Sequence, residues 1–145
     1  MMTMHLNNFV NFLIYFGVSL PLLGIGIYCF MLTTRYKEYA LMAEGADIND
    51  PRKGAAAQAA AYDLGGKVLG LGIMLASAIF HSVNILDLII WALLGIVFQI
   101  LVFYLYEGIT PFKNTEEIPK GNIAVGVLSA FISITTGIIM AALIS

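Results

Sequence analysis

Four long apolar runs decide what this chain can become. A helix crossing a hydrocarbon core about 30 Å thick needs about 20 predominantly apolar residues. Runs at about 9–33, 86–106 and 123–144 meet that length, and a fourth at about 55–83 exceeds it while holding Asp63 and Lys67. Inside lipid each backbone polar group must be satisfied within its own segment, so such runs predict helices. The predicted fold class is an all-α integral membrane protein, four transmembrane helices in a single membrane domain over residues 1–145. Composition agrees: 60% of residues are hydrophobic and 11% charged, where soluble domains run near one half and one quarter. A chain of this size keeps too much surface exposed to hide that excess in one core. Lipid is therefore the expected partner of that surface.

The same composition removes several function classes. A net charge of -2 offers no basic footprint for nucleic acid. Cys29 is a lone cysteine inside an apolar run, and the histidines, His5 and His81, are far apart, so no spacing resembles a metal site. His81 alone is a titratable group near a span end, and a lone interfacial histidine is ordinarily a bystander. Asp47, Asn49 and Asp50 suggest a calcium loop, but Pro51 and the missing Gly and Glu break the EF-hand pattern. No nucleophile–base set or phosphate loop appears, so neither an enzyme nor a cofactor is predicted. The first eleven residues carry no Lys or Arg, unlike a secretory n-region, and the first run reads as a retained span.

Orientation follows from the cations. A loop at about 34–53 carries Arg35, Lys37, Arg52 and Lys53, and a loop at about 107–121 carries Lys113 and Lys120. The opposite side carries none. By the positive-inside rule both loops are cytoplasmic and both termini face out, periplasmic if the membrane is a bacterial inner membrane. Tyr36, Tyr39, Tyr104 and Tyr106 are placed in an aromatic belt at the inner boundary. The first loop, with Tyr36, Tyr39, Leu41 and Met42 among its charges, reads either as a short amphipathic helix or as a solvated connector.

Polar residues within the runs are the candidate site. Asp63 and Lys67 stand four positions apart with the acid first, the favourable order on a helix. An unpaired charge at the bilayer centre costs about 2.5–3.5 kcal/mol, so intramembrane charges mark function by default. Two readings stay open: a neutralised pair inside the bundle, or a helix end with Lys67 snorkelling to the headgroups. Gln99 falls in mid-span, where an amide usually bonds to another helix. Asp87 suits a helix N-terminus, Trp91 an outer interface anchor, and Asn122 an N-cap with Glu116 and Glu117 before it. Pro21, Gly24 and Gly26 predict a kink or a close helix contact in the first span. Ser129, Ser133, Gly137 and Ala141 recur at four-residue spacing, and Gly66, Gly70, Gly72 and Ala76 repeat that style in the second span. Such stripes let helices approach closely, either within one chain or between copies in a homo-oligomer.

The two loop-to-span junctions are alike. Lys53-Gly54 and Lys120-Gly121 align at an offset of 67 residues, which sets Ala57 opposite Ala124 and Gly70 opposite Gly137. The predicted organisation is two parallel-related helical hairpin repeats, about 9–83 and 86–144. Glu117-Ile118-Pro119-Lys120-Gly121-Asn122-Ile123-Ala124 resembles the "E-I-x-x-G-N-x-A" junction of the YjfL-type bacterial inner-membrane family, the domain-of-unknown-function family three-fifty. Leu75-Ala76-Ser77-Ala78, then Asp87, Trp91 and Gln99, are similar to its central "S-A…D…W…Q" pattern. The resemblance implies two tandem two-helix repeats, a multi-pass inner-membrane protein of unassigned activity, and neighbours among envelope-stress genes. Against the family's pattern, Ala55 stands where a repeat would carry Asn, and Asp63 and Lys67 replace residues that are usually small or apolar.

Two functions are carried forward. One is a structural or interaction component of envelope or membrane-stress maintenance, oligomeric and meeting a stress-response protein. The other is a small oligomeric channel or transporter with Asp63, Lys67 and Gln99 along its route.

Overall fold

The computed structural model describes residues 2–47 and 49–144, with side chains from Leu6 onward. The described residues form six helices: α1 Met2–Thr33, α2 Glu38–Glu44, α3 Pro51–His81, α4 Ile85–Ile109, α5 Asn114–Glu117 and α6 Ile123–Ile144. Four of them, α1 from Leu6, α3, α4 and α6, are long and apolar enough to cross a membrane. The sequence places α6 to the residue, whereas α3 starts four residues before the expected 55.

Local chemistry sets these limits. Asp50 caps α3 by accepting from the Arg52 amide at 3.0 Å, and Pro51 follows at the first helical position, where its missing N–H costs nothing. Asn84 accepts from the Asp87 amide at 3.0 Å, and Asp87 accepts in turn from the Val83 amide at 3.0 Å. The two side chains thus satisfy the turn between α3 and α4 from both directions. Gly121, at φ 89°, takes a left-handed conformation that a side chain would oppose. It turns the chain into Asn122, which caps α6 by accepting from Val125 at 3.4 Å. Pro21 lies inside the continuous helix α1. The close contact expected near it occurs at Gly26, where a Cβ would run into Leu71, while Gly24 faces open space.

α3 is the most buried of the four long helices and α1 the least. The bundle is built on the α3–α6 pair. A Cβ on Gly66 would strike the backbone of Ala130, and one on Gly126 would strike Ala59. Gly70 meets the Ser133 carbonyl, and Gly137 meets Gly70 itself. Further along, the Ser77 hydroxyl donates to the Ala141 carbonyl at 2.7 Å. Contacts advance together along both helices, so α3 and α6 run parallel. Ala59 with Gly126 and Gly70 with Gly137 are each 67 positions apart, the offset of the two junctions.

The remaining helices complete three apolar layers. Leu22, Leu75, Leu88 and Ala92 fill the layer near the termini; Phe30, Leu71, Met74 and Ile96 fill the middle. Tyr36, Ala59, Ala60, Ile118 and Val125 fill the layer under the two loops. Among the loop residues, Glu38–Glu44 does form a short helix, lying against α3 with Glu38 turned inward and Tyr39 outward.

Candidate functional site

The polar residues of the loop-side layer converge on one carboxylate. Asp63 is fully buried on α3, and Lys67, one turn on, is 1% exposed. Their helical spacing brings Lys67 Nζ to 2.6 Å from Asp63 Oδ2. The same oxygen accepts from the Tyr36 hydroxyl at 2.5 Å. The other oxygen, Oδ1, accepts from the Ser129 hydroxyl of α6. Ser129 accepts in turn from the Asn114 amide at 3.0 Å. Asp63 is thus tied to its own helix, to α6, to the first loop and, through Ser129, to the second loop. Of the two readings left open, the headgroup-snorkelling one is overturned: the Lys67 chain turns into the bundle toward Asp63. Its ammonium also lies 4.5 Å from the centre of the Phe103 ring, close enough for a cation–π attraction.

Tyr36 is a correction to the belt reading. It is 8% exposed, and its hydroxyl is directed at Asp63 rather than at an interface. Burial, then the charge and hydrogen bond of Asp63, push its pKa well above the ordinary tyrosine value. The phenol stays protonated and acts as a donor. Tyr39 and Tyr104, by contrast, are 58% and 52% exposed.

More polar atoms gather around this core. Glu38 is 1% exposed; Oε1 accepts from the Thr34 hydroxyl, while Oε2 has no hydrogen-bond partner. Gln99 is buried beside α3, where a Cβ on Gly70 would stand 3.0 Å from its Nε2, and neither of its amide atoms has a partner. The Tyr106 hydroxyl and Asn114 Oδ1 are likewise buried and unpartnered. Among the described residues no cluster of His, Cys, Asp or Glu is suited to a metal ion.

The other sequence candidates divide by location. Gly66, Gly70, Ser133, Gly137 and Ala141 lie along the α3–α6 contact as packing residues. Ser129 belongs to that stripe and also to the charge network, a second role its spacing did not reveal. Asp87 and Trp91 lie at the far end of α4, away from the network, and Asn122 acts as the α6 cap. Tyr36, Glu38 and Asn114 were missed as site residues, because they sit in short loop segments where no helical period announces a buried face. A faint signal did exist: each is a hydrogen-bonding residue within a few positions of a basic loop residue, but so are several exposed ones.

Arg35, Lys37, Arg52, Lys53, Lys113 and Lys120 all lie at this loop end, Arg52 and Lys53 in the first turn of α3, which leaves Lys67 as the one Lys or Arg deeper within a spanning helix among the described residues. Glu117 accepts from Lys120 at 2.8 Å and from the Asn122 amide at 3.0 Å. These bonds, Lys120 first, hold its carboxyl below the usual range.

Comparison with known proteins points the same way as the helices. The sequence matches the family described as Domain of Unknown Function (DUF350) over residues 3–144. The UPF0719 transmembrane protein YshE of Bacillus subtilis (strain 168) is 31% identical over 137 residues, 94% of this chain and 94% of that protein. No solved structure matches the chain significantly.

Proposed function

This chain belongs to the DUF350 family, and from that premise we propose that it is a non-enzymatic, multi-pass component of a bacterial inner membrane that works by presenting its two charged loops to a protein partner. The observation that carries this reading is the position of Asp63. One buried carboxylate fixes the first loop through Tyr36 and the second through Ser129 and Asn114. A buried ion pair adds little net stability over an apolar pair of the same volume, and the glycine contacts already join α3 to α6. The charges are better understood as a device that gives two loops one defined arrangement. The exposed side chains of Arg35, Lys37, Lys113 and Lys120 stand among Glu107, Glu116 and Glu117, so the two loops present a surface of mixed charge suited to a partner of complementary charge pattern.

In this reading both loops are cytoplasmic and both termini periplasmic, as the cation bias suggests. The partner belongs to envelope or membrane-stress maintenance, and the chain works as a homo-oligomer. The two-hairpin repeat is supported by the contacts that recur at an offset of 67. A reporter fused to the C-terminus should be active only if that end is periplasmic. Photocrosslinkers at Lys37 and Lys113 in cells should trap a discrete protein adduct, and Tyr36→Phe should abolish it while the protein still accumulates. Adducts that survive Tyr36→Phe unchanged would remove the argument from Asp63.

A second reading, a small oligomeric channel or transporter, draws on the unpartnered Glu38 and Gln99 atoms beside the pair, since intramembrane ionisable groups commonly line ion or proton routes. Purified protein in liposomes separates the two. Ion flux that stops with Asp63→Asn would establish transport; flux no greater than that of empty vesicles leaves the loop-presenting function.

A further inference from the structure

A lateral groove of about 400 Å³ lies between α4 and α6, walled by Trp91, Leu94, Phe98, Ile139 and Leu143. These walls turn outward: Phe98 is 53% and Ile139 55% exposed, on helices long and apolar enough to face lipid. The groove's loop-ward end is marked by Val102 and Thr136. The same two residues also line a small inner space of about 10 Å³, shared with Gln99, Tyr106 and Ser133. That is room for about one water-sized group.

The inner space is where polar capacity goes unused. Gln99 is 4% exposed, and both its amide atoms lack hydrogen-bond partners, as does the buried Tyr106 hydroxyl. A buried polar group left unsatisfied costs about 1–3 kcal/mol. In a bilayer such an amide ordinarily bonds to a neighbouring helix, yet α3 and α6 offer it none. An apolar cleft of a few hundred Å³ with a few polar groups converging at one end has the composition of a small-molecule site.

We propose that this groove binds a neutral single-chain lipid, the chain lying between α4 and α6 and one terminal hydroxyl or carbonyl oxygen meeting Gln99. Three observations select that occupant. No charged side chain lines either space among the described residues, so an ionised headgroup finds no counter-charge there. The inner space admits one small group and excludes a phosphate. Gln99 is too deeply buried for contact with a flat helix face of a second copy. The inner space borders the Asp63 network at Ser129 and Phe103, but the contact to Gln99 uses none of that network's hydrogen bonds, and the proposal does not depend on the function proposed above.

The test uses the full-length protein in lipid nanodiscs and a photoreactive hexadecanol with a diazirine in its chain. Peptide mass spectrometry should find adducts concentrated on the groove walls, at Phe98, Ile139 and Leu143. Unlabelled hexadecanol should compete at least about tenfold better than hexadecane, the difference expected of about 1.4 kcal/mol. Gln99→Leu should keep the adducts and erase that preference. Ile139→Trp, which narrows the groove far from Asp63, should remove the adducts without lowering thermal stability. Equal competition by hexadecane in the unmodified protein overturns the proposal, as does labelling spread evenly over all lipid-facing helices. Crosslinks between copies at the groove in place of lipid adducts also overturn it. Should Gln99→Leu fail to give a monodisperse protein, the Ile139→Trp result and the hexadecanol–hexadecane comparison decide the matter without it.

Discussion

Asp63 and Ser129, 66 positions apart, share a hydrogen bond that joins the charged turn of α3 to the small-residue face of α6. Ser129→Ala removes a donor from a buried carboxylate and also strips Asn114 of its acceptor. The expected loss is about 1–3 kcal/mol, measured as a lower thermal midpoint in detergent. Ser133→Ala, one turn on and with no side-chain bond to Asp63, should shift the midpoint far less.

Asp63 and Lys67 should behave as one unit. Asp63→Asn or Lys67→Met alone leaves an uncompensated buried charge or breaks the pair, at a cost of about 3–5 kcal/mol. The double variant Asp63→Leu with Lys67→Met should lose much less than the sum of the single changes. A double-mutant cycle of unfolding free energies in mild detergent measures this coupling. Simple additivity would show that the two charges act independently of each other.

The α3–α6 contact tolerates no bulk. Gly137→Leu forces a side chain into the backbone of Gly70, and overpacking of this kind costs about 1–3 kcal/mol or more. Gly72→Ala, whose added Cβ meets open space, serves as the control and should be close to neutral. Retention of the monodisperse folded protein on gel filtration after heating distinguishes them.

Two groups outside the spans give stability opposite pH dependences. Tyr36 has a raised pKa in the folded chain, by burial first and then by Asp63. Its contribution is complete below the ordinary tyrosine value of about 10 and declines as pH rises beyond it, because only the unfolded chain ionises there. Glu117 has a lowered pKa, chiefly from Lys120. Its contribution is present above the ordinary glutamate value and is lost as pH falls through the folded one. Melting curves for Tyr36→Phe should converge on the unmodified protein at high pH, and those for Glu117→Gln at low pH.

The sequence reading reached the helices more fully than the site. Long apolar runs determine α1, α3, α4 and α6, because lipid leaves the backbone no other way to satisfy its polar groups. The Asp63–Lys67 pair was visible for the same reason: two charges four positions apart in such a run must find each other or the surface. Its surroundings were not visible. Tyr36 and Asn114 reach the site from loops, whose path depends on caps, a left-handed glycine and tertiary contact rather than on any periodic pattern. Tyrosine near a span end is also statistically an interface residue, and here three-dimensional proximity to a carboxylate prevailed over that tendency.

The parallel seating of α6 on α3 also imposes an order on biogenesis. Ribosomes deliver α3 to the bilayer long before Asn114 and Ser129 exist, so the charged turn first meets lipid with only Lys67 and Tyr36 as company. The last helix then supplies the missing hydroxyl and the glycine face in a single docking event. A nascent chain stalled before residue 123 would present an incompletely satisfied carboxylate inside the membrane, the kind of flaw by which a quality-control protease can tell an unfinished bundle from a finished one.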